Sequence, residues 1–101
     1  ARVNIVNPDG DDRPTYAALV LPASEALPAT VGALKARLLT VRPGRTVRTG
    51  RLRNGKYTLY FTDASLLNGV PNNTETSDIP PEAVSTRSIT LSGKDATRRL
   101  P

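Results

Sequence analysis

The chain has 101 residues, with 14 basic and 9 acidic residues, a net charge of +5, and neither cysteine nor histidine. It has room for one domain with one modest core. Without histidine and cysteine, catalytic serine and cysteine triads, the common zinc sites and disulfide bridges are excluded.

The first two predicted elements are strands. Val3 and Ile5 alternate with polar residues in Arg2–Val6, which indicates a short strand. Thr15–Leu21 is apolar on both faces, so we expect a second strand that is buried on both sides. Residues 7–12 between them are turn formers, and the two strands could form a hairpin with a long loop.

The acidic turn Asp9, Asp11 and Asp12 suggests a metal ligand set. A calcium loop of the helix–loop–helix type needs a glycine five residues after the first aspartate, and Pro14 occupies that position. We therefore interpret the cluster as a polar turn, and we expect no metal and no cofactor. The chain also lacks a phosphate-loop motif and a paired acid and base, so we predict no enzymatic activity and no small-molecule substrate.

The middle of the chain predicts a helix and further strands. Val31–Val41 fits either a helix or a strand, and we favour a short helix followed by a strand. Arg45–Arg53 is predicted to be a strand in which Gly50 marks a bulge or a kink. The Asn-Gly pair at 54–55 is a strong hairpin signal, because both residues tolerate positive φ. It leads into Lys56–Thr62, the clearest strand in the chain.

The last third adds a helical turn at Asp63–Gly69, a long polar loop at 70–83, a strand at Val84–Ser92 and a tail at 94–101. Five or six short strands with at most one or two short helices predict a single all-β, mainly antiparallel domain over residues 1–101. We expect a small β-sandwich or a partly open barrel. The alternative is a single antiparallel meander, whose apolar face would need a partner chain.

Positive charge is concentrated in residues 35–56, where no acidic residue occurs. The basic residues there are Lys35, Arg37, Arg42, Arg45, Arg48, Arg51, Arg53 and Lys56. Such a segment attracts phosphates or an acidic protein surface. Three interpretations remain open: a solvated sheet face, an arm that docks on an acidic subunit, and a nucleic-acid contact. In the last, arginines would bind RNA or DNA phosphates while Tyr57 or Tyr60 stacks on bases.

No motif identifies a family, but the layout resembles the coat proteins of small RNA phages. The resemblance places an N-terminal hairpin at Ala1–Leu21 and an RNA-facing sheet at Leu38–Thr62 with Val84–Ser92. Such coats end in two interlocking helices, for which this chain has no corresponding segment. A capsid decoration or head–tail protein fits equally well. The absence of catalytic groups, the long polar loops and the need to cover an apolar sheet face lead us to expect a homo-oligomer or a larger protein assembly.

Two functions from different classes follow. The first is a non-enzymatic structural protein of a phage or virus particle that acts through oligomerisation and protein–protein contacts. The alternative is a small nucleic-acid-binding β-barrel module that uses residues 35–56. The chain opens at Ala1 without a signal segment or a membrane-spanning apolar run. We therefore expect cytoplasmic synthesis, incorporation into a virion and no membrane partner.

Overall fold

Two β-sheets pack face to face around the core. The computed structural model describes residues 1–101. The strands are β1 (Val3–Val6), β2 (Tyr16–Pro22), β3 (Leu39–Val41), β4 (Thr46–Arg48), β5 (Gly55–Asp63), β6 (Ser85–Leu91) and β7 (Ala96–Arg99). Helix α1 spans Val31–Lys35, and three 3₁₀ helices span Ala64–Leu67, Thr76–Asp78 and Pro81–Ala83. None of these helices is long and apolar enough to cross a membrane.

The small sheet has the strand order β4-β1-β7, and the large sheet has the order β3-β2-β5-β6. Every pairing is antiparallel except that of β1 with β7. The connections from β3 to β4 and from β6 to β7 join the two sheets at their edges. The strands thus surround the core without a continuous ladder. The predicted small all-β sandwich or partly open barrel is confirmed.

The core lies between the sheets, because alternate side chains of every strand point inward. Val3 and Ile5 of β1 are fully buried and belong to one cluster with Leu59 and Ile89 of the large sheet. Removing such apolar surface from water contributes roughly 25 cal/mol per Å² and is the main stabilising term. With the core enclosed by both sheets, the alternative of a single meander is wrong.

The strand β2 is buried on both faces, as its unbroken apolar run predicts. Ala18 faces the core, whereas Leu19 and Leu21 pack on the outer face of the large sheet in one cluster with Leu34 of α1. The helix begins at Thr30, whose side-chain oxygen accepts a hydrogen bond from a backbone N–H of the first turn at 3.2 Å. The predicted short helix followed by a strand is confirmed by α1 and β3.

Both predicted hairpins are wrong, because the strands in each pair lie in different sheets. β1 pairs with β4 and β7, whereas β2 pairs with β3 and β5. β1 has one apolar face and suits the small sheet, while β2 needs cover on two faces and lies inside the large sheet under α1. Residues 49–54 cross from one sheet to the other, so Gly55 begins β5 instead of closing a turn, with a φ of 150°.

The strand predicted over Arg45–Arg53 is limited to Thr46–Arg48. Thr49 still donates its N–H to the carbonyl of Val3 at 3.0 Å, but the return bond from the N–H of Val3 goes to the side-chain oxygen of Thr49, also at 3.0 Å. A hydroxyl thus replaces the backbone carbonyl of a regular ladder. The strand ends there, and Gly50 lies at the exit from the sheet.

Residues 94–101 do not form a tail. Ala96–Arg99 form β7 beside β1, and Leu100 is only 2% exposed within the core cluster. The N–H of Leu100 donates to the carbonyl of Val6 at 2.8 Å, and the guanidinium of Arg13 donates to the carbonyl of Leu100 at 3.3 Å. The prediction fails because this pairing joins the two ends of the chain, which a local pattern does not reveal.

The helical turn predicted for Asp63–Gly69 is confirmed as the 3₁₀ helix Ala64–Leu67. The carboxylate of Asp63 accepts hydrogen bonds from the backbone N–H of Ser65 at 2.9 Å and from its hydroxyl at 2.8 Å. These bonds favour the ionised carboxylate and lower the pKa of Asp63. Residues 70–83, predicted to be a polar loop, contain the other two 3₁₀ helices.

Candidate interaction surfaces

The basic residues of segment 35–56 do not form one surface. Val41 lies opposite Tyr16 at the start of β2, and Tyr57 lies opposite Pro22 at its end. The seven residues of β2 span about 20 Å at the usual rise of a strand. The β3–β4 turn and the start of β5 are therefore at opposite ends of the molecule. Arg42 and Arg45 lie at the first end, and Arg51, Arg53 and Lys56 lie at the second.

Three of the basic residues have partners within the protein. The ammonium of Lys35 donates to a backbone carbonyl at 3.1 Å. Arg37 forms a salt bridge with Glu25 at 3.4 Å, and Arg48 forms one with Asp95 at 3.3 Å. These are the two salt bridges of the molecule, and both are half exposed. The basic residues of the segment that form no salt bridge and donate no side-chain hydrogen bond are Arg42, Arg45, Arg51, Arg53 and Lys56.

Of the two predicted tyrosines, Tyr57 offers no free ring for stacking, whereas Tyr60 is only half-buried. Tyr57 is buried in the core, and its hydroxyl donates to the carbonyl of Arg53 at 2.7 Å. Tyr60 is half-buried on the outer face of the large sheet, where it packs against the cluster of Leu19, Leu21 and Leu34. The alternation of β5 sends these side chains to opposite faces, Tyr57 into the core and Tyr60 to the partly open outer face. The prediction that Tyr57 stacks on a base is therefore wrong.

Three segments meet at one end of the molecule and bring together cations that are distant in sequence. The N–H of Leu52 donates to the carbonyl of Ala1 at 2.7 Å, and the N–H of Gly93 donates to the side-chain oxygen of Asn54 at 2.8 Å. Segment 51–56 thus adjoins both the N-terminal residues and the β6–β7 turn. The residues of this basic end are Arg2, Arg51, Arg53, Lys56 and Lys94.

Asp95 is an acidic residue that adjoins the basic end. Its carboxylate accepts the backbone N–H of Arg2 at 2.7 Å and a guanidinium bond from Arg48 at 3.3 Å. The first of these bonds contributes most to lowering the pKa of Asp95, and Arg48 adds to the effect. Arg2 and Lys94 were not predicted to belong to this surface, because they lie far from residues 35–56 in the chain.

Neither edge of the large sheet carries a further strand, and β6, with seven residues, is a longer edge than β3, with three. β6 pairs only with β5, and its other side forms no backbone hydrogen bond. Arg87 spans the gap towards β7: its guanidinium donates to the carbonyl of Arg99 at 3.0 Å and lies 5.4 Å from the ring centre of Phe61. A single side chain, instead of a ladder, therefore links the large sheet to the small sheet at this edge.

The direction of the free backbone groups of β6 follows from the ladder. The carbonyl of Lys56 accepts a hydrogen bond from the N–H of Ala23, on the β2 side, at 2.9 Å. The backbone N–H and C=O groups of even-numbered residues in β5 therefore point towards β2, and those of odd-numbered residues point towards β6. The odd-numbered residues of β6 lie opposite the odd-numbered residues of β5 and bond them. The backbone N–H and C=O groups that face the open edge therefore belong to Thr86, Ser88 and Thr90, all of which are exposed.

An apolar cavity of about 250 Å³ lies on the outer face of the large sheet. Its walls are the sheet, helix α1, the 3₁₀ helix Ala64–Leu67 and the end of loop 70–83. Its apolar lining includes Ala17, Leu34, Leu38, Leu67, Ile79 and Pro81. Tyr60 also lines it, and the hydroxyl of Tyr60 donates no hydrogen bond within the protein. The elements around this cavity have local sequence signals, but the cavity itself has none, because its walls come from separate parts of the chain.

No three acidic side chains lie close enough together to hold a metal ion. Asp9 instead packs against the β3–β4 turn at Gly44, where a φ of 75° and the nearby carboxylate leave no room for a Cβ. Comparison with known proteins adds no assignment to these surfaces: no protein-family model, curated protein or solved structure matches the chain.

Proposed function

We propose that this protein is a non-enzymatic assembly subunit, a component of a phage or virus particle, that acts through oligomerisation and protein–protein contacts. The open edge of β6 is the observation that carries the proposal. An edge strand with unpaired backbone groups is a template for another strand, and proteins often block such edges with lysine, proline or bulges. β6 contains none of these, and its single charge, Arg87, is already engaged with β7 and Phe61.

The same edge of a second copy is the partner that suits β6 best. In an antiparallel pair centred on Ser88, Ser88 faces its own copy and Thr86 faces Thr90, so all three exchange both backbone hydrogen bonds. Hydroxyl side chains that face each other across strands contribute roughly 0.2–1 kcal/mol per pair. A register centred on Arg87 would instead place two guanidinium groups opposite each other, which is unfavourable. Pairing on Ser88 would extend the large sheet across both copies.

The first test is the mass of the pure protein by light scattering at low and high salt, with the Ser88→Pro variant beside it. Proline removes the N–H that faces the open edge and leaves the β5–β6 ladder intact. We expect a salt-tolerant dimer or larger oligomer for the wild type and a folded monomer for the variant. Thr97→Pro, on the outer side of β7, is the matched control and should keep the oligomer. A monomeric wild type at every concentration would refute the proposal.

The second candidate function is nucleic-acid binding, and the basic end favours it. Arg51, Arg53 and Lys56 have no salt-bridge partners and are joined there by Arg2 and Lys94. Without an exposed tyrosine, such a surface would bind phosphates and not bases. Affinity would therefore be independent of sequence and fall steeply with salt.

A matched pair of double variants tests this second candidate. Arg51→Ala with Arg53→Ala removes two charges at the basic end, and Arg42→Ala with Arg45→Ala removes two at the opposite end. Binding of a single-stranded oligonucleotide should weaken in the first variant only, and the slope of log affinity against log salt should fall by roughly 0.7 for each phosphate that is no longer neutralised. Equal reductions in affinity for both variants would indicate a response to net charge and exclude a site at the basic end.

A further inference from the structure

We propose that the apolar cavity on the outer face of the large sheet binds one large apolar side chain carried by a basic peptide segment of a partner protein. This interaction does not depend on pairing at the β6 edge, although Thr86 belongs to both surfaces. The proposal is supported by how firmly the cavity is built, by its size and by the charges around its rim.

The wall formed by loop 70–83 is held at several points. The N–H of Val31 donates to the carbonyl of Thr74 at 2.9 Å, and the N–H of Thr76 donates to the carbonyl of Ala29 at 2.8 Å. At the other end of the loop, the hydroxyl of Thr62 donates to a backbone carbonyl at 2.7 Å. A loop bonded to the helix side and to the sheet holds the cavity open in the unbound protein, which lowers the entropic cost of binding.

The size of the cavity suits a single side chain. A cavity of about 150 Å³ lined by aliphatic and aromatic residues is large enough for benzene. Pockets for drug-sized ligands are larger, on the order of 300–1,000 Å³. A volume of about 250 Å³ therefore matches an aromatic ring system such as the indole of tryptophan. The free hydroxyl of Tyr60 can donate to a backbone carbonyl of the bound segment.

The charges around the rim select a basic partner. Glu75, Asp78 and Glu82 each adjoin a lining residue in the chain, are exposed, and form no salt bridge. The cations that adjoin lining residues are Lys35, Arg37 and Arg87. Lys35 donates to a backbone carbonyl, and Arg37 forms a salt bridge with Glu25. Arg87 donates to the carbonyl of Arg99 and lies over the ring of Phe61. Glu25 neutralises Arg37, whereas Lys35 and Arg87 donate to neutral carbonyls and keep their charges. The three carboxylates outnumber these two cations, so the net charge at the rim is negative and attracts lysine or arginine beside the apolar anchor.

Two peptides of equal length test the proposal, Lys-Lys-Trp-Lys-Lys and Glu-Glu-Trp-Glu-Glu, both with blocked ends. The protein contains three tyrosines and no tryptophan, so excitation at a wavelength that tyrosine does not absorb gives emission from the peptide alone, which shifts to shorter wavelength when the indole is buried. We expect this shift with the lysine peptide at low salt and at least a roughly tenfold weaker affinity for the glutamate peptide. Indifference to the charge of the peptide would overturn the charge argument.

Variants locate the site. Ala17→Leu fills the cavity from its floor and should abolish the emission shift, whereas Glu75→Gln with Glu82→Gln should weaken binding of the lysine peptide without abolishing it. Asp11→Asn, in the acidic turn outside the cavity, is the charge control and should bind normally. If Ala17→Leu does not fold, the amide chemical shifts of the wild type with and without the lysine peptide locate the site instead. Peptide-induced shift changes that leave Tyr60, Leu67 and Ile79 unaffected would refute the site.

The same peptide separates this inference from the assembly proposal. Ser88→Pro should be monomeric and still bind the lysine peptide, because Ser88 does not line the cavity; of the three open-edge residues only Thr86 does. An oligomeric wild type that fails to bind the peptide would contradict the cavity proposal alone. A monomeric wild type that binds it would contradict the assembly proposal alone.

Discussion

Replacement of Leu100 by alanine tests the conclusion that the C-terminal residues belong to the core. The substitution removes three carbon atoms from a side chain that is 2% exposed. At about 0.8 kcal/mol per buried carbon group, transfer alone accounts for roughly 2.4 kcal/mol. The cavity left behind adds to this, and buried leucine-to-alanine changes typically cost about 2.7–5 kcal/mol. We expect about 3 kcal/mol for Leu100→Ala, because a site near the chain end can relax.

The backbone bonds at this position survive the substitution. The N–H of Leu100 still donates to Val6, and its carbonyl still accepts from Arg13. The measured decrease in stability therefore reports the side chain. For a domain of this size, 3 kcal/mol corresponds to a fall in Tm of about 12–24 °C. Calorimetry or urea unfolding measures it, with the urea midpoint moving by about 1–3 M.

Leu66→Ala is the matched control, because Leu66 is the one large apolar side chain that is mostly exposed, at 53%. The same atoms are removed there without opening a buried cavity, so the stability should change by no more than about 0.5 kcal/mol. The reasoning is refuted if Leu100→Ala and Leu66→Ala have the same small effect. That result would mean that the last residues are a tail after all.

Substitutions at three further positions test the polar contacts. Asn7→Ala should lower the free energy of unfolding, measured in urea, by at least about 2 kcal/mol. The buried amide of Asn7 donates to two backbone carbonyls at 2.9 Å and accepts a hydrogen bond from Arg13. Each buried group that loses its partner costs about 1–3 kcal/mol. Thr49→Val should lower the free energy of unfolding by about 1–3 kcal/mol, since it leaves the buried N–H of Val3 without its acceptor. Thr49→Ser keeps the hydroxyl and should retain most of the wild-type stability. Asp63 has a folded-state pKa below its ordinary value, so its cap stabilises the protein at neutral pH and is lost as the pH falls through that pKa. The stability of Asp63→Ala should therefore change less than that of the wild type between about pH 5 and pH 2, and parallel curves would contradict the capping role.

Most strands could be predicted because their signal is local. The alternation in Lys56–Thr62 and the two-sided apolar run in Thr15–Leu21 each match a strand of the structure, β5 and β2. The helix start at Thr30 and the turn after Asp63 are also local, since a side-chain oxygen and a backbone N–H two or three residues away form them. Periodicity and capping depend on neighbours in the chain, so the sequence contains them.

The pairing of these strands could not be predicted in the same way. The Asn-Gly pair at 54–55 has the residues of a tight turn, yet Gly55 begins β5 and the preceding residues cross between sheets. Local preference for a turn is worth little compared with burying both faces of β2 and one face of β1. The total burial of the core therefore determines which strands are neighbours.

The surfaces also divide into properties that the sequence determines and properties that only the tertiary structure determines. The absence of histidine and cysteine, and with it the excluded chemistries, was settled by composition alone, as was the excess of positive charge. The tertiary structure alone decided that segment 35–56 divides between two ends of the molecule, that Arg2 and Lys94 join one of them, and that Tyr57 is buried. It also decided that β6 has an open edge and that loop 70–83 encloses a cavity. A surface is made of residues that are near in space. The strand order determines which residues come together, and no local pattern encodes the strand order.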